Sequence, residues 1–130
     1  MTGTRVPAIH RFAAALGAVF CAVAVGLGAY AAHAAPDVAK SRLDTAALHL
    51  FFHGFALAVF ALRQRGRWAS ASLVLWLAGC ISFSGSLVAG ALWGASTAMA
   101  PIGGIAFMLG WLSCAMAMLQ PNTADDVAVR

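Results

Sequence analysis

Four runs of sequence, Phe12–Ala32, Thr45–Leu62, Trp68–Trp93 and Ala95–Leu119, contain no formally charged side chain. About 20 apolar residues in a helix cross a hydrocarbon core of ~30 Å, so each run can span a bilayer, the second with little to spare. In hydrocarbon the backbone must satisfy its own hydrogen bonds, which a helix does within one segment. The expected fold is therefore all-α: an integral membrane bundle of four transmembrane helices. It forms a single membrane domain over residues 1–130, ending in a short polar tail at 120–130. Composition agrees, because 62% of the chain is hydrophobic and only 9% is charged, with a mean hydropathy of +0.87. A water-soluble domain carries about a quarter charged residues.

Net charge is +4, but the few basic residues sit between the apolar runs, so they read as orientation signals and not as a nucleic-acid surface. Arg5 and Arg11 precede the first run, Arg63, Arg65 and Arg67 form the "RQRGR" loop, and Arg130 ends the chain. The opposite side has Lys40 and Arg42 beside Asp37 and Asp44, and an uncharged second loop. The positive-inside rule then places both termini and "RQRGR" in the cytoplasm, with a bacterial inner membrane as the natural setting. The N-terminal stretch through Ala32-His33-Ala34 also has the outline of a secretory signal. Its apolar run exceeds the usual 7–15 residues, so a retained helix is expected.

Asp37 or Ser41 can cap an early start of the second helix, within "VAKSRLDTAA". The break "GASTAMAP" is short, and Pro101 suits the first turn of a helix, so Trp68–Leu119 reads as a tight hairpin. Cys21, Cys80 and Cys114 sit singly in different apolar runs, as small hydrophobic residues and not as a disulfide or zinc framework. Trp68 and Trp93 fall at span ends, where interfacial anchors belong, and Trp111 is expected in the packed core.

Small residues recur at helical spacing. Ala18, Ala22 and Gly26 mark the first helix, Ser82, Ser86, Gly90 and Gly94 the third, and Ala106, Gly110 and Cys114 the fourth. Between helices in lipid there is little hydrophobic drive, so close backbone approach holds a bundle together, and smooth stripes mark where helices touch. Gly28, Gly85, Gly103 and Gly104 join the expected packing positions. Some of these faces equally suit a homo-oligomer.

Four motifs occur in order: "GLGAYAAHA" at 26–34, "FFHGFAL" at 51–57, "FSGSL" at 83–87, and "PIGG" at 101–104 followed by Gly110-Trp111. Together they resemble the small YgdD-like membrane proteins, a domain of unknown function (family 423), over nearly the whole folded chain. Gly28, Ala29, Tyr30, Ala32, His33 and His53 fit that family's pattern. Ala31 stands where it usually has glycine, His49 where it has tyrosine, Val88 where it has an aromatic and Ala100 where it has threonine. The resemblance implies a multipass inner-membrane protein and brings no catalytic or transport role.

Within "LHLFFHGFALAVF", His49 and His53 lie four residues apart on one helix face. From the ~1.5 Å rise per residue, His53, Ser84, Gly103 and Gly104 all fall in the outer half of the bilayer, with His33 at its surface. The reading expected here is a buried polar cluster in which Ser84, Ser86 or a carbonyl satisfies the imidazoles and sets helix register. The alternatives are a proton or solute pathway, since ionisable groups in membranes are often functional, and a metal site from His33, His49 and His53. Ser84 lies in neither a G-x-S-x-G motif nor a rhomboid-like one, and no span holds an acidic residue to orient a histidine. No enzyme activity, cofactor or resident metal is expected. The lipid bilayer is the expected partner, with partner proteins unknown.

Overall fold

The computed structural model describes residues 7–63 and 66–120; Arg5, Arg65, Arg130 and the tail beyond Gln120 lie outside them. Four helices account for the described chain: α1 (Ala8–His33), α2 (Asp37–Arg63), α3 (Arg67–Trp93) and α4 (Met99–Met118). All four are long and apolar enough to cross a membrane. No strand occurs among the described residues.

The ends show why each helix stops. α2 begins at Asp37, which lies in the first helical turn and does not cap it; the Pro36 carbonyl accepts the N–H groups of Ala39 and Lys40 at 2.9 and 3.2 Å. The Asp37 carboxylate thus sits where the helix dipole favours negative charge. α3 ends at Gly94, whose φ of +66° is cheap only for glycine, and the Ala95 N–H closes on the Ala89 carbonyl at 3.3 Å. This left-handed stop delays α4 to Met99, four residues later than the uncharged run suggests, with Pro101 in its first turn.

α1 and α2 form an antiparallel hairpin with α2 at the centre of the bundle. The buried residues His10, Gly17, Ala24 and Ala31 recur every seven along α1, the spacing of a continuous left-handed seam. At its middle Gly17 meets Gly54. A Cβ on Gly17 would stand 2.5 Å from the Gly54 carbonyl oxygen and 2.6 Å from the Ala58 nitrogen. The other face of α2 turns to α3 and α4: Phe60 meets the edge of Trp76, with ring centroids 5.4 Å apart, and His53 stacks on Phe107.

α3 contains a wide π turn at Cys80–Ser84, where the Gly85 N–H bonds back to the Cys80 carbonyl. Such a turn inserts one residue, about 100° of rotation, into an α-helix. Before it, α3 packs mainly on α4; after it, α3 leaves α4 and packs on α2. The turn marks the change of partner.

Several expected packing positions are corrected. Ala18, Ala22, Gly26 and Gly85 face outward, and a Cβ on Gly26, Gly85 or Gly94 would meet nothing within 4 Å. Ala18 lies one residue from Gly17, and Ala22 and Gly26 each lie two from Ala24, so the expected α1 stripe faces away from the seam. Gly94 is the helix stop just described. Gly90 lies against the following loop, where a Cβ on it would stand 2.6 Å from Thr97 Cγ2. A Cβ on Gly28 would make only ordinary contact, 4.0 Å from Ala47, and one on Gly104 would stand 3.8 Å from Phe83. The close approaches on α4 are Gly103, whose Cβ would stand 2.6 Å from Ser82 Oγ, and Gly110, 2.5 Å from the Trp76 ring. Gly79 is filled by the Phe107 ring.

Candidate functional site

A ladder of side-chain bonds runs down one face of α2. Thr45 Oγ1 donates to the Ser41 carbonyl at 2.9 Å, His49 Nδ1 to the Thr45 carbonyl at 2.9 Å, and His53 Nδ1 to the His49 carbonyl at 2.7 Å. Each step returns one turn along the helix, because residues four apart lie above one another. A carbonyl can only accept, so both Nδ1 atoms carry hydrogen.

At the bottom of the ladder the network leaves α2. Trp111 Nε1 of α4 donates to His53 Nε2 at 3.1 Å. The indole nitrogen has no lone pair to accept with, so His53 Nε2 must be bare. The ring is thereby the neutral Nδ1–H tautomer with both nitrogens satisfied. Phe107 covers its face, with centroids 3.5 Å apart and planes 12° from parallel. His53 is 6% exposed, buried among these partners and the His49 ring, whose centroid lies 6.1 Å away. His49 is half-buried one turn away and rests on Phe83 with centroids 4.6 Å apart. Among the described residues its Nε2 has no hydrogen-bond partner.

The serines are not part of this network. Ser86 Oγ donates to the Phe83 carbonyl at 3.2 Å and Ser82 Oγ to the Ala78 carbonyl at 2.6 Å, both within α3. Ser84 is fully buried at the π turn, and its hydroxyl has no partner among the described residues. Of the expected partners of the imidazoles, the backbone carbonyl is found on both Nδ1 atoms, while neither Ser84 nor Ser86 bonds a histidine; the interhelical partner of His53 is Trp111. An unmade hydrogen bond in a low-dielectric interior costs free energy, so Ser84→Ala should not destabilise and should gain up to about 1 kcal/mol. Unfolding in dodecyl sulfate/detergent mixed micelles measures this; a loss of similar size would mean the hydroxyl is satisfied after all.

His33 is exposed at the end of α1 and does not join His49 and His53. Among the described residues no three His, Cys, Asp or Glu side chains converge as a metal would require, so the three-histidine metal site is withdrawn. Cys80 and Cys114 are buried thiols, and Cys21 donates to the Phe51 carbonyl at 3.6 Å.

Sequence reasoning missed two features. His10 is buried in the α1–α2 seam, with Nδ1 3.0 Å from the Ala61 carbonyl near the end of α2. The seven-residue spacing to Gly17, Ala24 and Ala31 was the signal that could have found it. Trp111 is 48% exposed and not core, yet it anchors the site through its indole nitrogen. Nothing in the sequence pairs it with His53, 58 residues away.

Residues 27–104 match a family model described as a protein of unknown function, DUF423. A "UPF0382 membrane protein" of Haemophilus influenzae is 36% identical over 109 residues, covering 78% of this chain and 86% of the relative. One from Staphylococcus epidermidis is 34% identical over 113 residues, 81% of this chain and 93% of that one. The Bacillus subtilis UPF0382 membrane protein YwdK is 32% identical over 115 residues, with coverage of 81% and 94%. No solved structure matches.

Proposed function

This chain belongs to the DUF423 family, bacterial multipass membrane proteins whose function is unknown, and from that premise we propose a structural or accessory role without enzymatic chemistry. The observation that carries this reading is the saturation of His53: one nitrogen bonds its own helix, the other receives the Trp111 indole, and Phe107 covers the face. A proton relay needs a next group that both gives and takes a proton. The ladder ends on an indole, which only donates. A relay would have to displace Trp111 first. The imidazole works as a rivet between α2 and α4, and interhelical bonds of this kind contribute about 1 kcal/mol each and set register.

The runner-up is a small proton or solute conductor, favoured by the unpartnered Nε2 of half-buried His49. The charge pattern supports an inner-membrane placement with both termini in the cytoplasm. Proteoliposomes with an internal pH dye, under an imposed pH gradient, separate the two roles. Leakage equal to that of empty vesicles is expected, unchanged in His49→Ala. A proton flux well above empty vesicles that His49→Ala abolishes would overturn the structural reading. A C-terminal reporter active only outside the cytoplasm would reverse the orientation.

A further inference from the structure

Between α2 and α4 runs an open groove of about 420 Å³, within the ~300–1,000 Å³ range of small-molecule sites. Phe52, Phe55 and Val59 form one wall, Trp111 and Met118 the other, and Arg63 stands at one end. From Phe52 to Arg63 the groove rises ~16 Å, about half of a ~30 Å hydrocarbon core. It therefore has the length of one leaflet, apolar from the bilayer middle to the boundary and positive at the boundary.

Trp76 also lines the groove, and its buried indole nitrogen has no hydrogen-bond partner among the described residues. The Trp111 indole N–H is committed to His53, while its ring lines the groove beside Trp76, with centroids 4.7 Å apart. Arg63 is exposed and, among the described residues, has no carboxylate partner; Asp37 and Asp44 lie at the other end of α2.

We propose that this groove is a binding site for an anionic phospholipid, with an acyl chain lying along Phe52, Phe55, Val59 and Trp111 and the headgroup phosphate at Arg63. The guanidinium forks onto phosphate oxygens, a geometry that a zwitterionic headgroup weakens by adding its own cation. Basic pockets between transmembrane helices favour anionic headgroups for this reason. The site stands independently of which face of the membrane Arg63 occupies and of the role proposed for His53.

The full chain, reconstituted in phosphatidylcholine vesicles, is titrated with acyl-brominated phosphatidylglycerol or with acyl-brominated phosphatidylcholine of identical chains. Quenching of the tryptophan signal, which includes Trp111 in the groove, reports occupancy. The phosphatidylglycerol should bind about fivefold more strongly, the gain expected of one arginine near an anionic lipid. Arg63→Gln, on an exposed side chain, should bring the two lipids to parity, while Arg11→Gln on α1 should keep the preference. Equal quenching by both lipids in the unaltered protein would overturn the proposal, as would a preference that survives Arg63→Gln. Loss of preference in Arg11→Gln as well would mean diffuse surface charge and not a site, with the same consequence.

Discussion

Gly17→Ala is expected to be among the most damaging single substitutions in this bundle, at a cost of about 3 kcal/mol, although it adds one methyl group. The added carbon would stand 2.5 Å from the Gly54 oxygen and 2.6 Å from the Ala58 nitrogen, both backbone atoms of α2. Neither can rotate aside, so the two helices must separate along the whole α1–α2 seam. Overpacking in a tight interior typically costs 1–3 kcal/mol, and rigid neighbours place this site at the upper end. Separation also weakens the His10–Ala61 contact, 3.0 Å across the same seam. The control is Gly26→Ala, where a Cβ meets nothing within 4 Å; it should change stability by less than about 0.5 kcal/mol. Unfolding titrations with dodecyl sulfate in mixed micelles compare the pair. Equal behaviour of the two variants would refute the seam.

His53→Ala should destabilise by a similar amount, about 3 kcal/mol, through three losses at one place. The buried ring leaves a cavity against Phe107, the near-parallel stack is gone, and the Trp111 N–H is left without an acceptor. Trp111→Phe removes the indole nitrogen while keeping an aromatic ring, so it should cost only about 1 kcal/mol. A double-mutant cycle isolates the bond itself. The double variant should be less destabilised than the sum of the two single variants, His53→Ala and Trp111→Phe, by about 1 kcal/mol, since the two residues share one contact. A coupling indistinguishable from zero would show that the bond contributes nothing to holding α2 on α4.

These two sites differ in how far they were legible beforehand. His53 stood out because an imidazole in an apolar run is costly to leave unsatisfied, and that cost holds in any fold. Its partner did not stand out. A serine on α3 and an indole on α4 can both donate to Nε2, and depth estimated from rise places several candidates at one level without giving rotation. Rotation is what separated Ser84 from Trp111. The π turn at Cys80–Ser84 shifts the face of α3 by a residue, a local change that hydropathy does not register. Gly17 and Gly54 were overlooked for a related reason. α1 is rich in small residues, so stripes four apart can be drawn on more than one side, and the seam was set instead by a glycine on the opposite helix.

From the chain alone came the number of spans, the all-α membrane fold and the family, because hydrocarbon demands long uncharged helices and motif order survives without coordinates. Which side of each helix meets a neighbour was decided only by the tertiary structure. In lipid both sides of a helix are apolar, so the pattern that marks a buried face in water is nearly silent here, and close fit between particular atoms makes the choice.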